Sequence, residues 1–116
     1  MELKEFYAKV GGDYDAVLQR LPAPGMIKKF VGKFANDPSY KELMGALQEE
    51  NLENAFRAAH TIKGTAATLG LDTLANAASD LTEQLRGASV LPQESYVKAV
   101  EEAYQMTMEQ IGMIEI

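Results

Sequence analysis

Cysteine is absent from this 116-residue chain, and histidine occurs once, at position 60. The first absence excludes disulfide frameworks, cysteine-rich zinc sites, iron–sulfur clusters and thiol catalysis. The second excludes zinc held by several imidazoles. Positive charge is also scarce. Lys and Arg number 11 against 17 Asp and Glu, for a formal net charge of −6. Affinity for nucleic acid rests on neutralising phosphates with Lys and Arg, so this balance predicts no nucleic-acid partner. No apolar run reaches the length of a membrane span. The opening Met1-Glu2-Leu3-Lys4-Glu5 is charged and leads into no apolar signal core. The expected location is therefore the cytoplasm, without a membrane partner.

Hydrophobic residues make up 47% of the chain, enough to build one packed core. The length suits a single domain over 1–116. Helix formers dominate, and no stretch alternates with period two for long enough to build a sheet. Turn residues divide the chain. A first helix over 3–10 stops at Gly11-Gly12, and Asp13 caps a second that ends before Pro22-Ala23-Pro24. Ile27, Phe30, Val31 and Phe34 share one helical face over 25–34, and Lys28, Lys29 and Lys33 lie beside or opposite it. Asp37-Pro38 opens a helix over 38–49, nearly collinear with the one before it, so that 25–49 reads as one helix kinked at the proline. Asn51 caps a helix that Gly70 ends in the left-handed conformation. Asp72 caps the next, Gly87 closes it, and Leu91-Pro92 starts the last. The expected architecture is all-α. An antiparallel up-down four-helix bundle over 25–114 has helices 25–49, 51–69, 71–86 and 92–114, and 1–24 supplies two short helices that cap one end.

At 100° per residue, Ala55, Ala59, Ile62, Ala66 and Leu69 gather on one arc of the helix over 51–69, which is its core face. His60 falls about 160° from Ile62, in solvent and near mid-helix. Phe56 lies one turn before it, Lys63 and Gly64 one turn after, and Ala67 two turns after. From Ala58 to Leu71 the only fixed charge is Lys63, whereas outer faces of bundle helices are normally charged. Gly64 inside a helix costs about 1 kcal/mol against Ala, and it lets something approach the backbone closely. A neutral imidazole is a nucleophile at neutral pH. Its natural electrophile beside one lysine and one bare backbone position is a phosphoryl group, whose transfer needs positioning and charge neutralisation above all. Alone, the lone surface histidine has an equally plain reading as an ordinary surface residue.

The run His60-Thr61-Ile62-Lys63-Gly64-Thr65-Ala66-Ala67-Thr68-Leu69-Gly70 resembles the signature of histidine-containing phosphotransfer (HPt) domains: His-x-Leu-Lys-Gly, two small residues, then an aliphatic residue and a Gly. Ile62 stands where the family has Leu. Phe56-Arg57-Ala58-Ala59 looks like the family's approach to the site, and Leu74, Ala78, Leu81 and Leu85 like its following helix. The resemblance covers about 25–87. It implies a monomeric four-helix bundle that relays phosphoryl groups between receiver domains. His60 would accept the group from a receiver aspartate and pass it to another. The implied donor is the receiver of a hybrid sensor kinase, and the implied acceptor a response regulator. Lys63 would neutralise phosphoryl charge and Gly64 leave room for it. Magnesium would reside in the receiver, so no cofactor or metal is expected here. The family often has Gln or Glu on the next helix, hydrogen-bonded near the histidine. Thr82 holds the aligned place, with Glu83 and Gln84 on other faces. Docking residues implied around His60 are Phe56, Arg57, Thr61, Ala67 and Thr82.

The chain then reads as a covalent phosphocarrier rather than a stand-alone enzyme, with no room for a kinase's ATP-binding domain and a compact form that favours a bacterial source. Two rivals stay open: a detached phosphotransfer domain of a chemotaxis-type histidine kinase, or a module that binds receivers or kinases as an inhibitor without carrying phosphate. Lys28, Lys29 and Lys33 read as a solvated outer face rather than a membrane surface. Met106, Met108 and Met113 read as core filling. The acidic pairs read as caps and solvated faces rather than metal ligands.

Overall fold

The computed structural model describes residues 1–115. Among them are seven α-helices and no strand: α1 (Leu3–Lys9), α2 (Tyr14–Arg20), α3 (Pro24–Phe34), α4 (Ser39–Gln48), α5 (Leu52–Leu69), α6 (Asp72–Leu85) and α7 (Glu94–Ile111). The Cα trace spans 43 × 23 × 20 Å.

Consecutive long helices pack as neighbours, α4 on α5, α5 on α6 and α6 on α7. The α5–α6 pair is the most intimate, and both helices bury small residues: Ala55, Ala59 and Ala66 from one, Ala75 and Ala78 from the other. Ile62, Leu74, Leu81 and Leu85 add large buried side chains to the same core. A buried leucine or isoleucine contributes about 1.5–3 kcal/mol relative to leaving it in water. The α7 helix closes the core with Val100 and Ala103, and its Tyr104 stacks on Tyr40 of α4 with centroids 3.7 Å apart and rings within 4° of parallel. Buried Thr82 and Thr107 do not leave hydroxyls stranded. Each donates to the carbonyl four residues earlier, Ala78 at 2.6 Å and Ala103 at 2.7 Å.

The expected single kinked helix over 25–49 is two helices. After Phe34 the chain tightens: Asn36 N–H bonds to the Lys33 carbonyl and Asp37 N–H to that of Phe34, both at 3.0 Å. Pro38 has no N–H with which to continue the ladder. The Asp37 carboxylate then accepts from Ser39 N–H at 2.8 Å, which starts α4 afresh. Asp72 is likewise the first residue of its helix rather than the cap, a place held by Leu71. Met106 and Met108 pack on the core, but Met113 lies beyond α7 and is exposed, contrary to its reading as core filling.

The α1–α2 segment sits on the α5–α6 turn. Tyr7 hydroxyl donates to the Leu69 carbonyl at 2.7 Å, and Arg20 donates to the carbonyls of Thr68 and Ala67, both at 3.3 Å. These bonds satisfy acceptors that the end of α5 leaves open. Glycine is required at the contact. Gly70 is left-handed at φ +75°, and a Cβ on Gly12 would run into the Gly70 carbonyl oxygen. At the end of α4 the same left-handed role falls to Glu50, at φ 57°. There Asn51 N–H reaches back to the Ala46 carbonyl at 2.8 Å, just as Leu71 N–H reaches Ala66 at 2.8 Å.

Candidate functional site: an exposed imidazole beside an apolar groove

The site helix is α5. Asn51 side chain accepts from Asn54 N–H at 3.1 Å and starts it, and Gly70 ends it. Ala55, Ala59, Ile62, Ala66 and Leu69 are buried, so the arc expected to face the core does so. That arrangement forces His60 outward, and it is exposed. The imidazole is not loose, however. It lies parallel to the Phe56 ring, with centroids 6.0 Å apart and planes within 3°. Phe56 is half-buried and is covered in turn by the Arg86 guanidinium, whose carbon is 5.1 Å from the ring centroid.

Arg86 is held by a two-pronged bond to Glu83, at 3.1 and 3.2 Å. That hydrogen bond, and then the Arg86 charge, hold the Glu83 carboxyl below the ordinary carboxylate range, with smaller pulls from Lys63 and His60. Glu83 therefore shares an electrostatic neighbourhood with His60 and Lys63. The sequence expectation put it on another face. Thr82, expected level with the imidazole as a hydrogen-bonding and docking residue, is 0% exposed, and its hydroxyl is committed to Ala78. It offers nothing to His60 or to a partner. The correction follows from helix phase: at 100° per residue, a one-position change swings a side chain from the core to the rim.

Arg57 is exposed and paired with Glu53 within α5. Thr61 is exposed, but its hydroxyl donates to the Arg57 carbonyl at 2.9 Å. Lys63 is half-buried rather than fully on the outer face, and Ala67 is exposed. Gly64 is exposed, and a Cβ built there would meet no atom within 4 Å. The space that the glycine leaves is thus open on the solvent side.

That space belongs to a groove of about 710 Å³. One wall is α5, with His60, Gly64 and three threonines; the other is α3, with Phe30, Lys33 and Phe34. Leu21 and Asp37 lie along its edge. The groove exists because α3 stands away from α5 while α4 packs closely on it, the change falling at the interruption over 35–38. Phe30 and Lys33 were not expected at the site. The lysines looked like a solvated face, and no local signal in 25–34 shows that the helix splays. The Glu83–Arg86 pair did carry a signal, opposite charges at i, i+3. Among the described residues no group of acidic or imidazole side chains is arranged to hold a metal ion. Among them, too, no helix is long and apolar enough to cross a membrane.

Fold and site together define an all-helical domain that presents one imidazole in mid-helix, with open space at the glycine one turn on. A protein-family model described as the Hpt domain matches residues 37–110, which include α4, α5, α6 and nearly all of α7. The chain belongs to the Hpt domain family, and membership implies histidine phosphotransfer in phosphorelay signalling. No curated protein and no solved structure matches the chain. The family match leaves out α1, α2 and α3, and with them one wall of the groove.

Proposed function

We propose that His60 is the phosphoryl-accepting residue of a multistep phosphorelay, receiving the group from a receiver-domain aspartate and passing it to a second receiver. The observation that carries this reading is the exposed imidazole at the groove, with unfilled space at Gly64. The lone pair of a ring nitrogen attacks phosphorus, and the new P–N bond forms as the P–O bond to the aspartyl carboxyl breaks. The carboxylate leaves with the electron pair, and the proton on the other ring nitrogen stays in place. Return transfer runs the same step backwards onto another aspartate. Lys63 offsets charge on the transferring oxygens, and Gly64 admits them close to the backbone. Phe56 fixes the ring plane by stacking. Arg57, Thr61 and Ala67 form the surrounding contact surface. Magnesium belongs to the receiver.

The scaffold in this reading is one domain over 1–116, an antiparallel four-helix bundle over 25–114 capped by 1–24, acting as a cytoplasmic monomer. A hybrid kinase's receiver is the donor and a response regulator the acceptor. Incubation with a phosphorylated receiver domain tests it. The wild-type chain should become labelled and His60→Gln should not. Equal labelling of the two would refute the assignment.

A further inference from the structure

We infer that Arg86 is a positioning residue for phosphoryl transfer: gripped by Glu83, it braces Phe56, and Phe56 in turn fixes the His60 ring for attack. The inference rests on the phosphotransfer reading of His60 and adds to it two side chains from the end of α6. An exposed histidine in mid-helix ordinarily changes rotamer within nanoseconds, and its ring torsion is broad. Attack on a docked aspartyl phosphate needs the lone pair of one ring nitrogen aimed at phosphorus. Thr82 does not hold the ring, since it is buried and its hydroxyl is committed to Ala78. The contact on the imidazole is the parallel stack with Phe56, centroids 6.0 Å apart. Rings at that distance overlap only in part, so the hold depends on how firmly Phe56 is itself fixed.

Arg86 supplies that firmness. Its guanidinium carbon lies 5.1 Å from the Phe56 centroid. The backbone that presents it is set by the end of α6. Arg86 leaves the helix in an extended conformation, Gly87 turns the chain at φ +63°, and Ala88 N–H closes onto the Leu85 carbonyl at 3.2 Å. The side chain is then gripped by both Glu83 oxygens, at 3.1 and 3.2 Å. A planar fork of this kind holds a long side chain in one pose, which a lysine does not reproduce. The Arg86 and Glu83 side chains are 54% and 56% exposed, and an ion pair so wet contributes little to stability. Its place fits a local task better. At 100° per residue, Phe56 lies about 40° to one side of His60 and Gly64 about 40° to the other. The bracing therefore acts on the Phe56 side and leaves the opening at Gly64 free for the phosphoryl group.

The test uses the chain's sole histidine, whose ring carbons give NMR signals that no other histidine overlaps. Wild type, Arg86→Gln, Arg86→Lys and Glu83→Gln are compared, with thermal melts to confirm folding. The ring order parameter should approach the rigid-backbone value of about 0.85 in the wild type and fall below about 0.6 in Arg86→Gln. Transfer from an acetyl-phosphate-loaded receiver domain of the source organism is read at rising receiver concentration. Its maximal rate should fall about threefold to sixfold in Arg86→Gln, the dilution over three χ1 wells and two ring orientations, with the half-saturating concentration unchanged. Glu83→Gln should show the same pattern at smaller size, and Arg86→Lys should recover only part of the loss. Phosphoramidate, a small P–N donor that meets the ring in any pose, should label all four proteins at rates within about twofold. Unchanged ring order in Arg86→Gln, or a loosened ring with an unchanged maximal rate, would overturn the inference alone. A loss confined to the half-saturating concentration would make Arg86 a direct contact with the receiver and overturn it as well. Failure of both donors to label the wild type would overturn the His60 reading, and the inference with it, even where the ring order behaves as expected.

Discussion

Replacing Gly64 by alanine should make the protein more stable and a worse phosphocarrier. Glycine inside a helix is about 0.8–1 kcal/mol less favourable than alanine, because the unfolded chain has more backbone freedom to lose. That gain is normally offset where the new methyl collides with something. Here an added Cβ meets no atom within 4 Å, so almost the full propensity difference should appear. For a domain of this size, about 1 kcal/mol raises the melting temperature by roughly 4 °C. The same methyl enters the space beside His60 that the transferring phosphoryl oxygens need. Displacing a reacting group by about 1 Å can cost on the order of a hundredfold in rate. Transfer from a phosphorylated receiver should therefore fall by roughly tenfold to a hundredfold. Gly32→Ala is the control. Its Cβ also meets nothing within 4 Å, and it points away from the groove side of α3, so it should stabilise comparably and leave transfer unchanged. Paired calorimetry and stopped-time labelling measure both effects. A destabilised Gly64→Ala would refute the packing argument. A stabilised variant with undiminished transfer would refute the claim that this opening serves the chemistry.

Two further outcomes follow from the ends of helices. Glu50 holds at φ 57° the position that Gly70 holds at φ 75° in the matching turn, so Glu50→Gly should stabilise by about 1 kcal/mol, read from denaturant midpoints, without changing transfer. Tyr7 donates to the end of α5, and burial pushes its hydroxyl up to about 12. Tyr7→Phe should cost about 1 kcal/mol near neutral pH. A raised folded-state value favours the native state below the unfolded value of about 10 and loses that advantage as pH climbs towards 12. The difference between wild type and Tyr7→Phe should accordingly shrink over that interval, and a constant difference in melts from pH 9 to 12 would contradict it.

Much of the fold and of the site is legible in the sequence. The periodicity of Ala55, Ala59, Ile62, Ala66 and Leu69 fixed which way α5 faces, and with that the exposure of His60. Asn51 and Gly70 bounded the helix because their chemistry is local to its ends. Three features escaped. The separation of α3 from α4 depends on how residues 35–38 fold back on the preceding carbonyls, a tertiary outcome that Asp37-Pro38 only hints at. The burial of Thr82 turns on the phase of α6 against α5, which shifts by 100° with each residue of uncertainty in the turn. The groove wall from Phe30 and Lys33 needs contact between segments thirty residues apart, and periodicity within one helix carries no such information.

The central claim is that the phosphoryl group rides on His60, the chain's sole histidine. The most direct measurement maps the label after transfer from a phosphorylated receiver, under alkaline conditions, and then chases it with a second receiver. The account predicts an acid-labile, alkali-stable phosphate on the peptide that carries His60, and its loss to the second receiver. An acid-stable phosphate on a threonine or serine, an alkali-labile one on a carboxylate, or a label that no receiver can remove would contradict it.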